Sequence, residues 1–286
     1  MTPTTLDEKD EHLRAILREL RSVAVAFSAG ADSTLVLKIA LDVLGPEHVV
    51  AVTGRSDSLA NGEFEHARQL AESLGAEHVI LETDEFENPN YLANPTNRCY
   101  FCKTTLYTHL DRFIAERGLN AVVNGINADD LGDFRPGIDA AREHAVRSPA
   151  AEAGLTKADV RELSRRLGLP TFDKPASPCL SSRVPYGETI TPEKLRMIEA
   201  GEAFLRSEFG IRECRVRHHE TIARIEVPPG VIPVLGEPDN AARLDAKFRS
   251  LGYRYVTIDL RGFRSGSMNE VIPVEVVQLA ATERPG

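Results

Sequence analysis

The 286-residue sequence has no apolar run near membrane-spanning length, and its opening Met1-Thr2-Pro3-Thr4 lacks the basic and apolar regions of a secretory leader. These absences predict a cytoplasmic protein with no membrane partner. Excess positive charge is missing as well. Thirty-four Lys and Arg against 43 Asp and Glu give a formal charge of −9, which argues against a broad nucleic-acid surface and predicts no nucleic-acid partner. Cysteine is scarce: four in an intracellular chain of this length point to metal binding or catalysis rather than structural disulfides. Internal repeats and low-complexity tracts are absent too. What remains, 42% hydrophobic and 27% charged residues, is a globular chain long enough for a main domain and a smaller one.

Strand-like and helix-like segments alternate through the first half. Helical spacing over 7–20, with Leu13, Ile16, Leu17 and Leu20 on one face, precedes the apolar run Val23 to Phe27. A helix is expected over 34–44, a strand over 49–53, a helix over 64–74, a strand over 78–81, a helix over 106–114 and a strand over 121–124. This alternation predicts an α/β fold, a doubly wound parallel sheet whose ligands bind at the carboxyl ends of its strands. Thr156 caps a further helix stopped by Gly168 and Pro170, and an irregular Pro- and Ser-rich loop spans 173–186. Thr191-Pro192 starts another helix. Strands over 213–219 and 222–227, a helix over 241–251 and a strand over 255–260 make a small α+β unit. The expected division is therefore 1–187 and 188–286, with a frayed tail after Ala281.

Directly after the first apolar run stands Ser28-Ala29-Gly30-Ala31-Asp32-Ser33. Small residues let backbone amides converge on an anion, and the following helix aims its positive dipole end at the same place. No Gly-Lys-Ser/Thr ends this loop, so it is not of the Walker type. It resembles the Ser-Gly-Gly-x-Asp-Ser loop of the PP-loop ATP pyrophosphatases, which split ATP into AMP and pyrophosphate and activate a carboxylate or carbonyl by adenylation. Ala29 stands where that family usually has glycine, so the backbone there is expected to avoid positive φ. The bland alternative is an ordinary strand-turn-helix connection.

Cys99-Tyr100-Phe101-Cys102 precedes Lys103, and a third cysteine lies in Pro178-Cys179-Leu180-Ser181-Ser182-Arg183. Cys-x-x-Cys alone is compatible with half a zinc site, a redox pair or two buried small residues. Two cysteines on one turn with a distant third can also hold three irons of a [4Fe–4S] cluster, leaving the fourth iron open to a sulfur species. The phosphate loop, Asn97-Arg98-Cys99-Tyr100-Phe101-Cys102-Lys103, Gly125-Ile126-Asn127-Ala128-Asp129-Asp130 and the Cys179 segment occur in one order. Together they resemble the LarE family, ATP-dependent sulfur transferases of nickel-pincer cofactor biosynthesis, over nearly the whole chain.

That resemblance implies ATP-driven adenylation of a pyridinium dicarboxylate mononucleotide, followed by replacement of AMP by sulfur to give a thiocarboxylate. Some members of the family sacrifice the sulfur of one cysteine, matching Cys179. Others carry a cluster on three cysteines, matching Cys99, Cys102 and Cys179, that an unidentified sulfur donor can reload. Ser28, Ser33 and amides near Gly30 are then the pyrophosphate donors. Asp32, Asp129 and Asp130 are candidate ligands for Mg2+, with Gly125 in the same nucleotide site. A thiolate or cluster-bound sulfide attacks, favoured by Lys103 or Arg183. Family members also assemble as homo-oligomers, often hexamers.

Arg215 and Arg217 alternate onto one strand face, which by itself reads as solvated; the family resemblance assigns them to the substrate phosphate, which two guanidinium groups suit, and Glu226 on the next strand is a candidate cation ligand. Cys214 falls on the opposite face and reads as a buried small residue. His218 and His219 face opposite ways and do not form a metal pair. Arg161, Arg165 and Arg166 read as a solvated helix face. The competing readings are a tRNA thiolase, a PP-loop amidotransferase or ligase using ammonia, and a degenerate protein that senses AMP. Too few cysteines and an acidic balance weigh against the first, and the cysteine set is unexplained by the second.

Overall fold

Val23, Ala24 and Val25 are fully buried, yet they feed two different cores, as alternate residues of a strand must. Val23 and Val25 pack with Leu13, Leu17, Leu35 and Leu70, while Ala24 packs with Val50, Val52, Tyr107 and Leu110. Only a strand covered on both faces gives that pattern.

The computed structural model describes residues 5–132 and 136–264. The chain runs α1 (Leu6–Leu20), β1 (Val23–Ala26), α2 (Ala31–Leu44), β2 (Val49–Arg55), α3 (Asn61–Ser73) and β3 (Glu77–Glu82). It continues with α4 (Pro89–Leu92), α5 (Arg98–Arg117), β4 (Ala121–Val123), α6 (Gly137–Glu143), α7 (Pro149–Glu152) and α8 (Lys157–Arg166). Then follow α9 (Pro192–Phe209), β5 (Arg215–His219), β6 (Ile222–Glu226), α10 (Ile232–Leu235), α11 (Pro238–Ser250) and β7 (Tyr255–Ile258).

The described residues fall into two compact units, 5–88 with 97–177 and 89–96 with 178–264. In the first, four parallel strands take the order β3-β2-β1-β4, with β1 paired to β2 from Val23↔Val49 and to β4 from Val23↔Ala121. This is the doubly wound α/β sheet expected from the alternation. In the second, β5 runs antiparallel to β6, and β7 parallel to it. Thr5, Thr156 and Thr191 cap α1, α8 and α9 through their hydroxyls, the first two in capping boxes with Glu8 and Asp159.

The units part between Ser177 and Pro178, ahead of the division expected at Gly187. Residues 178–187 are bonded to the excursion Pro89–Thr96 instead. Asn94 Nδ2 donates to the carbonyls of Val184 and Pro185, Gly187 N–H donates to Asn94 O, and the Tyr91 and Ser181 hydroxyls lie 2.7 Å apart. The helix expected over 106–114 begins earlier, at Arg98, so Cys99 and Cys102 lie on its first turns. Polar and aromatic residues there hide the helical period. The tail after Ala281 lies outside the described residues.

Candidate functional site

The loops leaving β1 and β4 lie at the carboxyl ends of adjacent strands, where the strand order switches direction and open α/β sheets bind ligands. In the first of them Ser28 N–H donates to Ser33 Oγ at 3.3 Å, and the two hydroxyls lie 3.2 Å apart. Gly30 caps α2 with φ −82°, and a Cβ there would meet only Ser28 Oγ at 3.5 Å. The first-turn amides of α2 have no carbonyl four residues back within the helix, so they point outward as anion donors.

Ala29, not Gly30, adopts the left-handed conformation, at φ +53°. The expectation that alanine would keep this backbone out of positive φ is therefore corrected. Its methyl is fully buried in the core beside β1, and that packing holds a conformation costing an L-residue about 1–2 kcal/mol.

Asp32, on the first turn of α2, accepts from Asn127 Nδ2 at 2.9 Å. Asn127 is fully buried, and its Oδ1 accepts the N–H groups of Asp129 and Asp130. Burial raises the Asp32 pKa, Asn127 opposes the rise, and the Asp130 charge adds to it. Asp130 lies buried 3.1 Å from Lys157 Nζ. Asp129 instead accepts the Lys157 N–H at 2.9 Å, at the amino end of α8. Of the candidate carboxylates, the structure thus gathers Asp32 and Asp130 and gives Asp129 a helix-capping contact. Gly125 owes its identity to packing: a Cβ there would lie 2.6 Å from Ser33 N and 2.9 Å from the Asp32 carbonyl carbon.

Three residues not singled out in the sequence form a chain of bonds that ends on this loop. Lys174 Nζ donates to the Ala29 carbonyl at 3.1 Å and to Glu63 Oε2 at 2.8 Å, and Ser177 Oγ donates to Glu63 Oε1 at 2.9 Å. Burial raises the Glu63 pKa, but Lys174 and Ser177 more than offset this and leave it below the usual carboxylate range. Beside them, burial lowers the His66 pKa, and the Lys174 charge lowers it further.

Cys99 is exposed and Cys102 half-buried, three residues apart on α5 and so on one face. Lys103 follows, its stem against Gly137, where a Cβ would lie 3.0 Å from Lys103 Cγ. Among the described residues no three His, Cys, Asp or Glu side chains gather as a metal site.

The second unit holds the half-buried Cys179 at the head of a 3-10 turn, Leu180–Arg183. Arg183 is buried and pairs through two nitrogens with Glu202, at 2.9 and 3.2 Å, while its third nitrogen holds the carbonyls of Pro178 and Cys179 at 2.5 and 2.8 Å. Toward Cys179 itself, its bond is to the backbone carbonyl. Arg183 therefore shapes the loop that carries Cys179. Cys214 is buried as expected, its thiol pushed up to about 11 by burial and then by the Glu202 charge.

Arg217 is buried against Glu226 at 2.7 Å, and Arg224 reaches the same carboxylate at 3.3 Å. Two guanidinium groups thus neutralise Glu226, the candidate cation ligand. Arg215 stacks over the Phe263 ring at 5.0 Å and donates to the Cys214 carbonyl. His218 packs against Tyr253, and His219 accepts from Arg224 Nε, so the two histidines face apart as expected. Arg165 and Arg166 pair with Glu162 on their own exposed helix face.

A family model described as NAD synthase matches residues 8–89, the segment that carries the phosphate loop. The chain is 47% identical over 267 residues to an uncharacterized protein of Synechocystis, covering 93% of this chain and 99% of that one. It is 42% identical over 271 residues to the pyridinium-3,5-bisthiocarboxylic acid mononucleotide synthase of Lactiplantibacillus plantarum, covering 94% and 96%. A tRNA-specific 2-thiouridylase of Rickettsia peacockii is 26% identical over 194 residues, about half of each chain. Likeness along nearly the full length of a named synthase, on a parallel sheet with this phosphate loop, makes the protein an enzyme of the LarE family with a PP-loop domain.

Proposed function

We propose that the protein is an ATP-dependent sulfur transferase that converts the carboxylates of pyridinium-3,5-biscarboxylic acid mononucleotide into thiocarboxylates. The observation that carries this reading is the 42% identity to the Lactiplantibacillus synthase over almost the whole of both chains. The phosphate loop supports it chemically. A carboxylate oxygen is a poor leaving group, so it first attacks the α-phosphorus of ATP and expels pyrophosphate. Ser28, Ser33 and the amides around Gly30 receive the departing phosphates. A sulfur nucleophile then attacks the acyl carbon, and AMP leaves with the former carboxylate oxygen.

Two groups complete this reading. Asp32 and Asp130 fit Mg2+, which takes one or two carboxylates and fills its shell with phosphate and water. Burial and, behind it, the Asp130 charge raise the Asp32 pKa, and a bound cation would offset both. Cys99 and Cys102 present two of the thiol groups that a [4Fe–4S] cluster takes as thiolates, and the family resemblance names Cys179 as the third. Such a cluster, when bound, supplies an open iron for an exchangeable sulfide. In the second unit Arg215, braced on Phe263, suits the substrate phosphate, with the buried Arg217 two residues further along the same strand. A homo-oligomeric cytoplasmic enzyme acting on a free nucleotide completes the proposal.

The test is anaerobic. Protein reconstituted with iron and sulfide is assayed for thiocarboxylate formation from the pyridinium mononucleotide and ATP, and its metal content is counted beside a Cys99→Ala variant. ATP-dependent product, with about four irons per chain that the variant loses, is expected. No product would overturn the function, and product without iron would remove the cluster and leave Cys179 as the sulfur source. A tRNA shift at physiological salt in place of product would favour the thiolase reading.

A further inference from the structure

We infer that Lys174 is a positioning residue of the phosphate loop, acting through the Ala29–Gly30 peptide and itself held by Glu63. The inference rests on the ATP-using reading above. Lys174 Nζ lies 3.1 Å from the Ala29 carbonyl and 2.8 Å from Glu63 Oε2, while Ser177 braces the other carboxylate oxygen. The chain has no cis peptide bond among its described residues, so the C=O and N–H of the Ala29–Gly30 unit point in opposite directions. An ammonium on the carbonyl therefore fixes the Gly30 N–H on the far side of the peptide.

Two oddities of the loop then explain each other. Ala29 sits at φ +53°, a conformation alanine disfavours, whereas Gly30, which could adopt it freely, sits at φ −82°. The strained residue is the one whose carbonyl receives the lysine. A charge on that carbonyl also polarises the peptide, which strengthens the Gly30 N–H as a donor to an anion. Lys174 thus does for this loop, from behind, part of what a Walker lysine does by direct contact with phosphate. Glu63 keeps the ammonium in place when no nucleotide is bound. The substrate chemistry concerned is the polyphosphate of a nucleoside triphosphate.

The experiment is calorimetric titration of the full-length protein with Mg-ATP, for the parent and for Lys174→Met, Lys174→Arg and Glu63→Gln, alongside melting without nucleotide. Loss of one charge-assisted contact predicts binding weaker by roughly 10- to 100-fold in Lys174→Met. Lys174→Arg, which keeps the charge and a donor, should recover most of that loss. Glu63→Gln should weaken binding in the same direction but by less, and it keeps the test alive should Lys174→Met fail to fold. Parent-like affinity in Lys174→Met or Glu63→Gln would overturn the inference, as would an arginine variant no better than methionine. A parent that binds no Mg-ATP would instead overturn the ATP-using reading, and this inference with it.

Discussion

Arg183 and Glu202, nineteen positions apart and each only 3% exposed at the side chain, form a two-pronged buried ion pair at 2.9 and 3.2 Å. The free prong of the guanidinium grips the two carbonyls that flank and belong to Cys179. Glu202 also accepts the Val216 N–H at 3.2 Å, so one carboxylate ties the cysteine loop to strand β5.

Removing either partner alone leaves a buried charge uncompensated. Glu202→Ala and Arg183→Met should each cost about 3–5 kcal/mol in chemical denaturation, and the double variant less than their sum. Burial raises the Glu202 pKa but the Arg183 charge overrides it, leaving it below 4.5. Its contribution is therefore complete above pH 4.5 and disappears as pH falls through the lower folded value. A parent and Glu202→Ala of equal stability would refute this.

The two glycines at the phosphate loop, Gly30 within it and Gly125 packed against it, should respond in opposite ways. Gly125→Ala drives a Cβ to 2.6 Å from Ser33 N, where only backbone can yield. It should lose about 1–3 kcal/mol of stability and distort the phosphate loop. Gly30→Ala makes only an ordinary contact, 3.5 Å from Ser28 Oγ, at an ordinary φ, so its fold should persist, and any loss of Mg-ATP binding reports a ligand that needs the room. Melting curves with and without Mg-ATP separate the two.

Asp32 works against the fold when no cation is present. Its pKa is raised by burial and by the charge of Asp130, so the ionised form is less favourable folded than unfolded. Stability from this group grows as pH falls through the folded value and is lower above it. Asp32→Asn should therefore melt at or above the parent temperature at pH 7 while losing the stabilisation that Mg-ATP gives the parent. A variant that melts lower and keeps the Mg-ATP shift would contradict both expectations.

His218 supplies the opposite slope. Burial, then the charges of Lys194 and His219, lower its pKa to about 4, and it packs neutral against Tyr253. The unfolded chain binds this proton near pH 6.5 and the folded chain does not, so stability falls between those values by about 1.4 kcal/mol per pH unit. His218→Phe should flatten that part of the profile. An unchanged slope between pH 6.5 and 4 would show that His218 is not its source.

The parallel sheet was legible because β1 and β2 are continuous apolar runs and α1 and α2 carry clear helical periods. The phosphate loop was legible as a cluster of small residues between them. The start of α5 was not, since Arg98 to Lys103 shows no apolar period and its helicity is set by neighbours. Nor was the role of Asp129, because a carboxylate next to Asp130 gives no hint that Lys157 N–H will claim it. Lys174 and Glu63 stand far apart in sequence, and a lone lysine in a proline-rich loop carries no signal of a partner.

Local pattern, in short range, determined the order of strands and helices, the caps at Thr156 and Thr191, and the loop that ends at Ser33. These depend on neighbours within a turn or two, which the chain writes directly. The tertiary structure alone decided that alanine, not glycine, takes the left-handed position, that Arg183 grips backbone, and that Glu226 meets Arg217 and Arg224. Each of those outcomes depends on burial and on charges brought together from distant segments. A carboxylate or guanidinium removed from water takes whichever opposite charge the fold brings within reach.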